Sequence, residues 1–287
     1  MEVLRYIKQL TVIKIMNART YALFMIQGFI LYIYLKPVIN FSQTVQHKVS
    51  VWVFPFLLSN IYFAFLFLLE IIYYFSNVPF MQYSNMYQII RTGRKTWAVG
   101  QIISIFLQSV LIMAVNFLFC IILLGRNCEW GTGWGKVLHT AALTNAAQYY
   151  EFLFEIPYDA MQNFTAIELS ICTFLIGSLV VFWMGIFMFM LSIVFNRMIA
   201  IIGSVSMAAG IYLVESVHPM LSQKVSMFIP TSWLRVAYVG IKEHDSFVLP
   251  SVPYIFIVLI MSIIIMCRII LRRVHGIEFE WSKEDGV

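Results

Sequence analysis

Six long apolar runs constrain this chain more than any other feature of its sequence. They lie at about 20–36, 51–76, 98–124, 166–195, 198–215 and 250–272. Roughly 20 apolar residues suffice for one α-helix to cross the hydrocarbon core of a bilayer. Only 11% of the residues are charged, against about 25% in soluble domains. The sequence therefore predicts an all-α polytopic membrane protein with six transmembrane helices, in which residues 1–287 form a single transmembrane domain.

The N-terminal segment is amphipathic and too charged to cross a membrane. Leu4 and Ile7 fall on one helical face, whereas Arg5 and Lys8 fall on the other. We therefore expect residues 2–17 to form an interfacial helix that lies on the membrane surface.

Two features of the first two runs affect the packing of their helices. Lys36 and Pro37 are expected to close the first span. Pro55 lies inside the second run, where neighbouring side chains can satisfy the carbonyl that a proline leaves free. Glu70 lies near the far end of the same run, and a carboxylate within a membrane is a candidate functional site. The alternative is a structural charge pair near the interface with Arg91 or Arg94.

The connector between the second and third runs combines an apolar helical face with basic charge. Proline suits the first turn of a helix and glycine its end, so Pro79 and Gly93 predict a short amphipathic helix at about 80–92. Such a helix can dock in a groove on a soluble partner or rest on anionic lipid headgroups. The alternative is a basic loop that only sets the orientation of the chain. The candidate docking side chains are Tyr83, Met86, Tyr87, Ile90, Arg91 and Arg94.

Two connectors are long enough to carry structure of their own. The loop 125–165 is acidic and aromatic, and we expect one or two short helices in it that cap the bundle. The stretch Met227–Val239 is expected to form a short amphipathic helix that is re-entrant or interfacial. A very tight turn at Asn196-Arg197 separates the fourth and fifth runs. In the fifth run, Ser206 and Gly210 have the small-xxx-small spacing that permits close helix packing.

The distribution of Lys and Arg predicts the orientation. With the N-terminus inside, twelve of the 19 basic residues lie in the inner segments, which are the shorter ones. Positive charge concentrates in cytoplasmic loops, so both termini and the connector at 80–92 are expected in the cytoplasm of a cell-membrane protein. The net charge of +5 is explained by this bias and does not indicate nucleic-acid binding.

The chain lacks the sequence patterns of the common catalytic sites. It has no phosphate-binding loop of the Walker type, no His-Glu-x-x-His and no Gly-x-Ser-x-Gly. Its four cysteines form no Cys-x-x-Cys pair, and its five histidines are scattered. We therefore expect no catalytic residues, no metal site and no cofactor held by this chain.

The order of elements resembles the membrane subunit of an ABC-2 type transporter. The shared order is an interfacial helix, two spans, a cytoplasmic helix, a third span, an outer loop, two spans joined by a tight turn, and a last span after a re-entrant element. The basic connector is also similar to that of small bacterial permeases of this class, through Tyr87, Arg91, Gly93, Arg94, Trp97 and Gly100-Gln101. In the outer loop, Trp134 to Val137 and 141–147 are similar as well.

The resemblance implies a coupling helix at about 80–92 that sits in a cleft of a cytosolic ATPase. It also implies that ATP and Mg²⁺ are bound by that ATPase subunit. A second permease copy, or a related permease, would complete the transporter. The loop 125–165 is longer than in the simplest members of the class, so its role is left open.

The expected function is export of a hydrophobic or amphipathic substrate, such as a peptide, a lipid or a drug. The candidate translocation path runs between the second and fifth spans and is marked by Ser59, Asn60, Ser204 and Ser206. One alternative is a membrane-embedded sensor or scaffold without transport activity, with the outer loop as its binding surface. A weaker one is an intramembrane enzyme that uses Glu70 with carboxylates of the outer loop.

Overall fold

The computed structural model describes residues 10–12, 14, 16–76, 92–243 and 246–274. Ten of the sixteen residues of the predicted interfacial helix 2–17 lie outside these residues. So does all of the predicted coupling helix 80–92 except Thr92. Within them, the chain is built from eleven α-helices, several 3-10 turns and two small β-pairs. The helices are α1 (Ala18–Val45), α2 (Phe54–Ser59), α3 (Ile61–Phe75), α4 (Arg94–Leu124), α5 (Gly135–Leu143), α6 (Ala146–Tyr149), α7 (Tyr158–Asn163), α8 (Ala166–Val194), α9 (Arg197–Ser216), α10 (Pro219–Ser226) and α11 (Val252–Arg273).

Five of these helices are long and apolar enough to cross a membrane, namely α1, α4, α8, α9 and α11. The pair α2 and α3 makes a sixth span if the two halves are counted together. The all-helical membrane architecture is thus confirmed in outline. The fourth, fifth and sixth predicted runs agree with α8, α9 and α11 to within two residues at each end.

The first span is longer than the sequence predicts. The helix was expected to close at Lys36 and Pro37, and this is wrong, because α1 continues through Pro37 to Val45. A proline inside a helix removes one backbone hydrogen bond. The continuation is held by tertiary packing, since the buried ring of Phe41 contacts Tyr150 and Phe152 at centroid distances of 4.8 and 5.9 Å.

The second span is broken where the sequence predicts a continuous helix. α2 and α3 meet at Asn60 and are bent by 87°. Asn60 has extended backbone angles (φ −72°, ψ 131°), and its side-chain oxygen accepts a hydrogen bond from the Phe63 N–H at 3.0 Å. An asparagine in this conformation ends one helix and caps the next. The position of the break is therefore set by Asn60 rather than by Pro55, which lies in the first turn of α2.

The fourth span, α8, is the central helix of the bundle. In its most apolar window 67% of the residues are buried, against 28–39% in the other four long helices. Its Gly177 lies against Met113 of α4 and Leu58 of α2, and its Gly185 lies against Ile105 of α4 and Phe75 of α3. These two glycines let α8 approach three helices closely, because a side chain at either position would occupy the space of a neighbour.

A reciprocal cap begins α8. Thr165 Oγ1 accepts a hydrogen bond from the Glu168 N–H at 3.3 Å, and Glu168 Oε2 accepts one from the Thr165 N–H at 3.0 Å. We expect Thr165→Ala to destabilise the protein by about 1 kcal/mol because the Glu168 N–H loses its partner. Thr165→Ser should retain most of that stability. Hydrogen exchange of the Glu168 amide measures the effect, and equal exchange rates in the two variants would contradict it.

The loop 125–165 forms a cap over one side of the bundle, called here the loop side. Strands β1 (Val49–Ser50) and β2 (Cys128–Glu129) pair in parallel and tie the start of the second span to the loop. Trp52 Nε1 donates to the Gly131 carbonyl at 2.7 Å, and the Trp134 ring packs against Phe56 at 5.0 Å. The loop contains three short helices, α5, α6 and α7, where one or two were predicted. The glycine- and tryptophan-rich segment 130–135 thus packs against the second span.

The middle of the connector between α9 and α11 is buried in the bundle. After α10 it makes two 3-10 turns, Pro230–Leu234 and Val236–Tyr238, in which nearly every residue is buried. The predicted amphipathic helix at 227–239 is wrong, because the stretch forms these two short 3-10 turns instead. A small antiparallel pair, β3 (Lys242–Glu243) and β4 (Ser246–Phe247), follows before α11.

Candidate functional site: a buried arginine at the break in the second span

The break at Asn60 leaves backbone carbonyls at the end of α2 without partners in the helix. The Ser59 carbonyl is one of these, and Ser59 is only 1% exposed. Arg235, from the turn between the two 3-10 segments, donates from Nε to this carbonyl at 3.0 Å. Ser59 Oγ accepts a hydrogen bond from the Ala237 N–H at 3.2 Å. The broken helix and the buried connector therefore satisfy each other's polar groups.

The arginine is almost completely buried and is paired in three ways. Its side chain is 4% exposed, and Nη1 forms an ion pair with Glu215 Oε2 at 2.7 Å. The guanidinium also lies over the Tyr238 ring at 4.3 Å from the centroid. A charge removed from water needs such compensation, because desolvation costs several kcal/mol for an unpaired ion. Glu215 is 51% exposed, so the ion pair joins a buried guanidinium to a half-exposed carboxylate.

Two further contacts connect this cluster to the loop 125–165. The Tyr238 hydroxyl donates to Glu155 Oε2 at 3.3 Å, and Asn60 Nδ2 donates to the Leu153 carbonyl at 3.0 Å. Burial raises the pKa of Tyr238 above its usual value, which outweighs the opposing effect of the Arg235 charge. The phenol therefore remains a neutral donor at physiological pH. We call Ser59, Glu155, Glu215, Arg235 and Tyr238 the arginine cluster.

The arginine cluster joins four segments that are far apart in the chain. These are the end of α2, the end of α9, the 3-10 connector and the loop 125–165. Each charged side chain of the cluster makes a hydrogen bond or an ion pair within it. The cluster therefore serves to hold these segments together and does not have the arrangement of a nucleophile or an acid–base pair. Neither Arg235 nor Glu215 was predicted as a site residue from the sequence. The one available signal was a single arginine in the otherwise uncharged stretch 227–239.

Three of the four side chains of the predicted translocation path are used within the fold. Ser59 Oγ donates to the Pro55 carbonyl at 2.8 Å, and Ser204 Oγ donates to the Ala200 carbonyl at 2.8 Å. Asn60 caps α3 and holds the loop. Only Ser206 is exposed, on the face of α9 that points away from the core. Gly210, which was predicted to form a small-xxx-small packing face with Ser206, is buried against Ile229.

The structure places Glu70 on α3 with both carboxylate oxygens buried. Neither oxygen accepts a hydrogen bond from a described residue. Arg91, one of its two predicted partners, lies outside the described residues. Arg94, the other, begins α4. The remaining coupling-helix residues Tyr83, Met86, Tyr87 and Ile90 also lie outside the described part of the chain.

A strip of polar side chains on α4 was not anticipated from the sequence. Gln101, Ser104 and Gln108 lie on one buried face, and Gln108 Nε2 donates to Ser104 Oγ at 3.0 Å. Lys14 Nζ donates to Gln101 Oε1 at 2.6 Å, which links the segment before α1 to this strip. The spacing 101, 104 and 108 is helical and was visible in the sequence. The bundle interior is therefore poor in charge but not in polar groups.

Among the described residues, no group of three or more His, Cys, Asp or Glu side chains is placed to hold a metal ion. The four cysteines are free, and Cys120 is completely buried. Burial raises the pKa of the Cys128 thiol on the loop side, which disfavours the reactive thiolate. Comparisons of the chain with protein-family models, with curated proteins and with solved structures find no match.

Proposed function

We propose that this chain is the membrane-spanning permease subunit of an ABC-2 type exporter, driven by a separate cytosolic ATPase. The observation that carries the proposal is the buried connector at 230–239, which follows α9 and precedes α11 in the chain and whose 3-10 turns are too short to span a bilayer. The resemblance implies a re-entrant element at this point of the chain. The tight connection at Asn196, between α8 and α9, is a second point of agreement.

The energy source in this proposal lies outside the chain. A second permease and two ATPase subunits would complete the transporter, with ATP and Mg²⁺ bound by the ATPases. Closure of the ATPases would move the segment at 80–92 and shift one permease relative to the other. On the loop side the arginine cluster holds the broken second span, the connector and the loop 125–165 together. It would let these segments move as a unit.

The proposed substrate path follows the exposed face of α3. α3 packs against both α1 and α9, and between those contacts its outward side chains include Tyr62, Leu66 and Tyr73. Their exposed fractions are 65%, 39% and 45%. Such a surface suits a hydrophobic or amphipathic substrate. Ser206 of α9 is exposed and belongs to the proposed path. Ser59 and Ser204 are buried, so the exposed face of α3 takes their place in the path.

The test is purification in a mild detergent, followed by mass spectrometry and an ATPase assay on the same sample. A stoichiometric soluble ATPase is expected to co-purify. Tyr87→Asp or Ile90→Asp is expected to abolish ATPase coupling while membrane insertion is retained, because a charge would replace an apolar docking contact.

Tyr149→Asp is the matched control, since Tyr149 is 82% exposed in the loop 125–165. This variant should behave as the wild type. Normal transport by the Tyr87→Asp or Ile90→Asp variant would refute the docking assignment. An ATPase-free preparation would instead favour the sensor or scaffold function, with the loop 125–165 as its binding surface.

A further inference from the structure

α1 and α3 pack against each other in an antiparallel arrangement that two contacts define. Near one end, Arg19 Nη1 donates to Ser76 Oγ at 3.1 Å, and the Arg19 guanidinium lies 5.6 Å from the Tyr73 ring centroid. Towards the other end, the rings of Tyr34 and Phe63 meet at a centroid distance of 5.2 Å. Positions advance from 19 to 34 on α1 while they fall from 76, just after α3, to 63.

This register brings Gln27 and Glu70 to the same seam. Gln27 is seven residues before Tyr34, so it lies on the α1 face that meets α3. Glu70 is seven residues from Phe63 and three from Tyr73, so it lies on the α3 face that meets α1. With a rise of about 1.5 Å per residue, Gln27 and Glu70 are offset from each other along the helix axes by no more than about one helical turn.

Both side chains present buried oxygens that lack partners. Gln27 is 1% exposed, and its Oε1 accepts no hydrogen bond from the described residues. The same holds for Oε1 and Oε2 of Glu70. An ionised carboxylate is costly in a buried seam, and an acceptor oxygen beside it adds repulsion. The repulsion is removed by a proton or a cation between the two groups, or by rotation of the Gln27 amide that turns its NH2 group to the carboxylate.

We propose that Glu70 binds a proton and, as a neutral carboxylic acid, donates a hydrogen bond to Gln27 Oε1. The proton comes from water and is returned to water when α1 and α3 separate. One carboxyl and one amide offer fewer oxygens than hard metal cations take, whereas a proton requires a single acceptor. The inference does not depend on the proposed transport function.

The charged and titratable groups around the seam have other contacts or lie at the helix ends. Arg19 Nη1 donates to Ser76 Oγ at 3.1 Å, and its guanidinium lies 5.6 Å from the Tyr73 centroid. Lys14 donates to Gln101. The groups on the packed elements are, with α1, Lys14, Arg19, Tyr21, Tyr32, Tyr34 and Lys36; on α3, Tyr62, Tyr73 and Tyr74; on α4, Arg94, Lys95 and Cys120; on α8, Glu168 and Cys172; and on α9, Arg197, Tyr212 and Glu215.

Infrared spectroscopy of the full chain in lipid nanodiscs tests the proposal. At about pH 7 the wild type should show the carbonyl stretch of a protonated carboxylic acid, although a free glutamate is ionised there. Glu70→Gln should abolish this band, and Gln27→Leu should shift it to higher frequency because the acceptor is lost. Glu129→Gln, at an exposed site in the loop 125–165, is the control and should leave the band unchanged.

Absence of the band at neutral pH in the wild type would overturn the proposal. So would a band that does not move in Gln27→Leu. These two measurements leave Glu70 intact, so they remain decisive even if the Glu70→Gln variant fails to assemble. In a correctly assembled Glu70→Gln variant, the thermal midpoint should equal that of the wild type. A large loss matched by Arg91→Gln or Arg94→Gln would instead demonstrate the ion pair.

Discussion

Replacing Arg235 with methionine is expected to lower the free energy of unfolding by about 3 kcal/mol. Methionine fills much of the same volume but cannot donate to the Ser59 carbonyl, which stays buried without a partner. Glu215, being half-exposed, can be rehydrated when the ion pair is lost. Most of the expected loss of stability therefore comes from the unpaired Ser59 carbonyl at the end of α2 and not from the Glu215 carboxylate.

Unfolding in detergent can be followed with a thiol-reactive dye in a background in which Cys128, Cys172 and Cys267 are replaced by serine, because the remaining thiol, Cys120, is completely buried in the native bundle. Arg126→Met is the matched control, since Arg126 is exposed, and should change stability by less than about 0.5 kcal/mol. Glu215→Gln should cost about 1 kcal/mol or less. Arg235→Lys should fall between the wild type and Arg235→Met, since lysine lacks the planar fork. Equal losses in Glu215→Gln and Arg235→Met would contradict the assignment.

The second large effect is expected from Gly185→Val in the centre of α8. A Cβ at this position would lie 2.6 Å from Cγ2 of Ile105 and 3.2 Å from the Phe75 ring. Ile105 is β-branched and holds one rotamer in a helix, so it cannot move aside. We expect a loss of about 3 kcal/mol from overpacking, measured by the same thiol-exposure assay.

Further variants distinguish a stability loss caused by overpacking at residue 185 from a general effect of replacing a glycine. At Gly177 an added Cβ would come closer still to its neighbour, but that neighbour is the flexible end of Met113. Gly177→Ala should therefore cost less than Gly185→Ala. Gly131→Ala, which adds a Cβ in open space, should be neutral. Ile105→Ala should partly rescue Gly185→Val, and strict additivity of the two losses would exclude direct contact as the cause.

Much of the helical architecture was predictable from the sequence. An apolar run must form a helix in lipid because its backbone groups have no other partners. This is why α8, α9 and α11 lie where the sequence placed them. Their caps are also local, since Thr165 and Asn196 hydrogen-bond to amides three residues ahead.

The end of α1 and the break in the second span were not predictable in this way. α1 continues beyond Pro37 because Phe41 packs on rings that lie more than 100 residues further along the chain. Pro55 drew attention to the second span, but the bend lies at Asn60. The side chain of Asn60 satisfies the Phe63 amide and the Leu153 carbonyl together.

The sequence by itself determined the composition of the spans, their order and the local caps. Only the tertiary structure decided which polar groups meet inside the bundle. Arg235 and Ser59 are 176 positions apart, and Gln27 and Glu70 belong to different helices. Periodicity reports which face of a helix is apolar, but not which neighbour that face meets. A polar side chain in an apolar run acquires a role only when packing selects its partner, and that selection depends on contacts between distant segments.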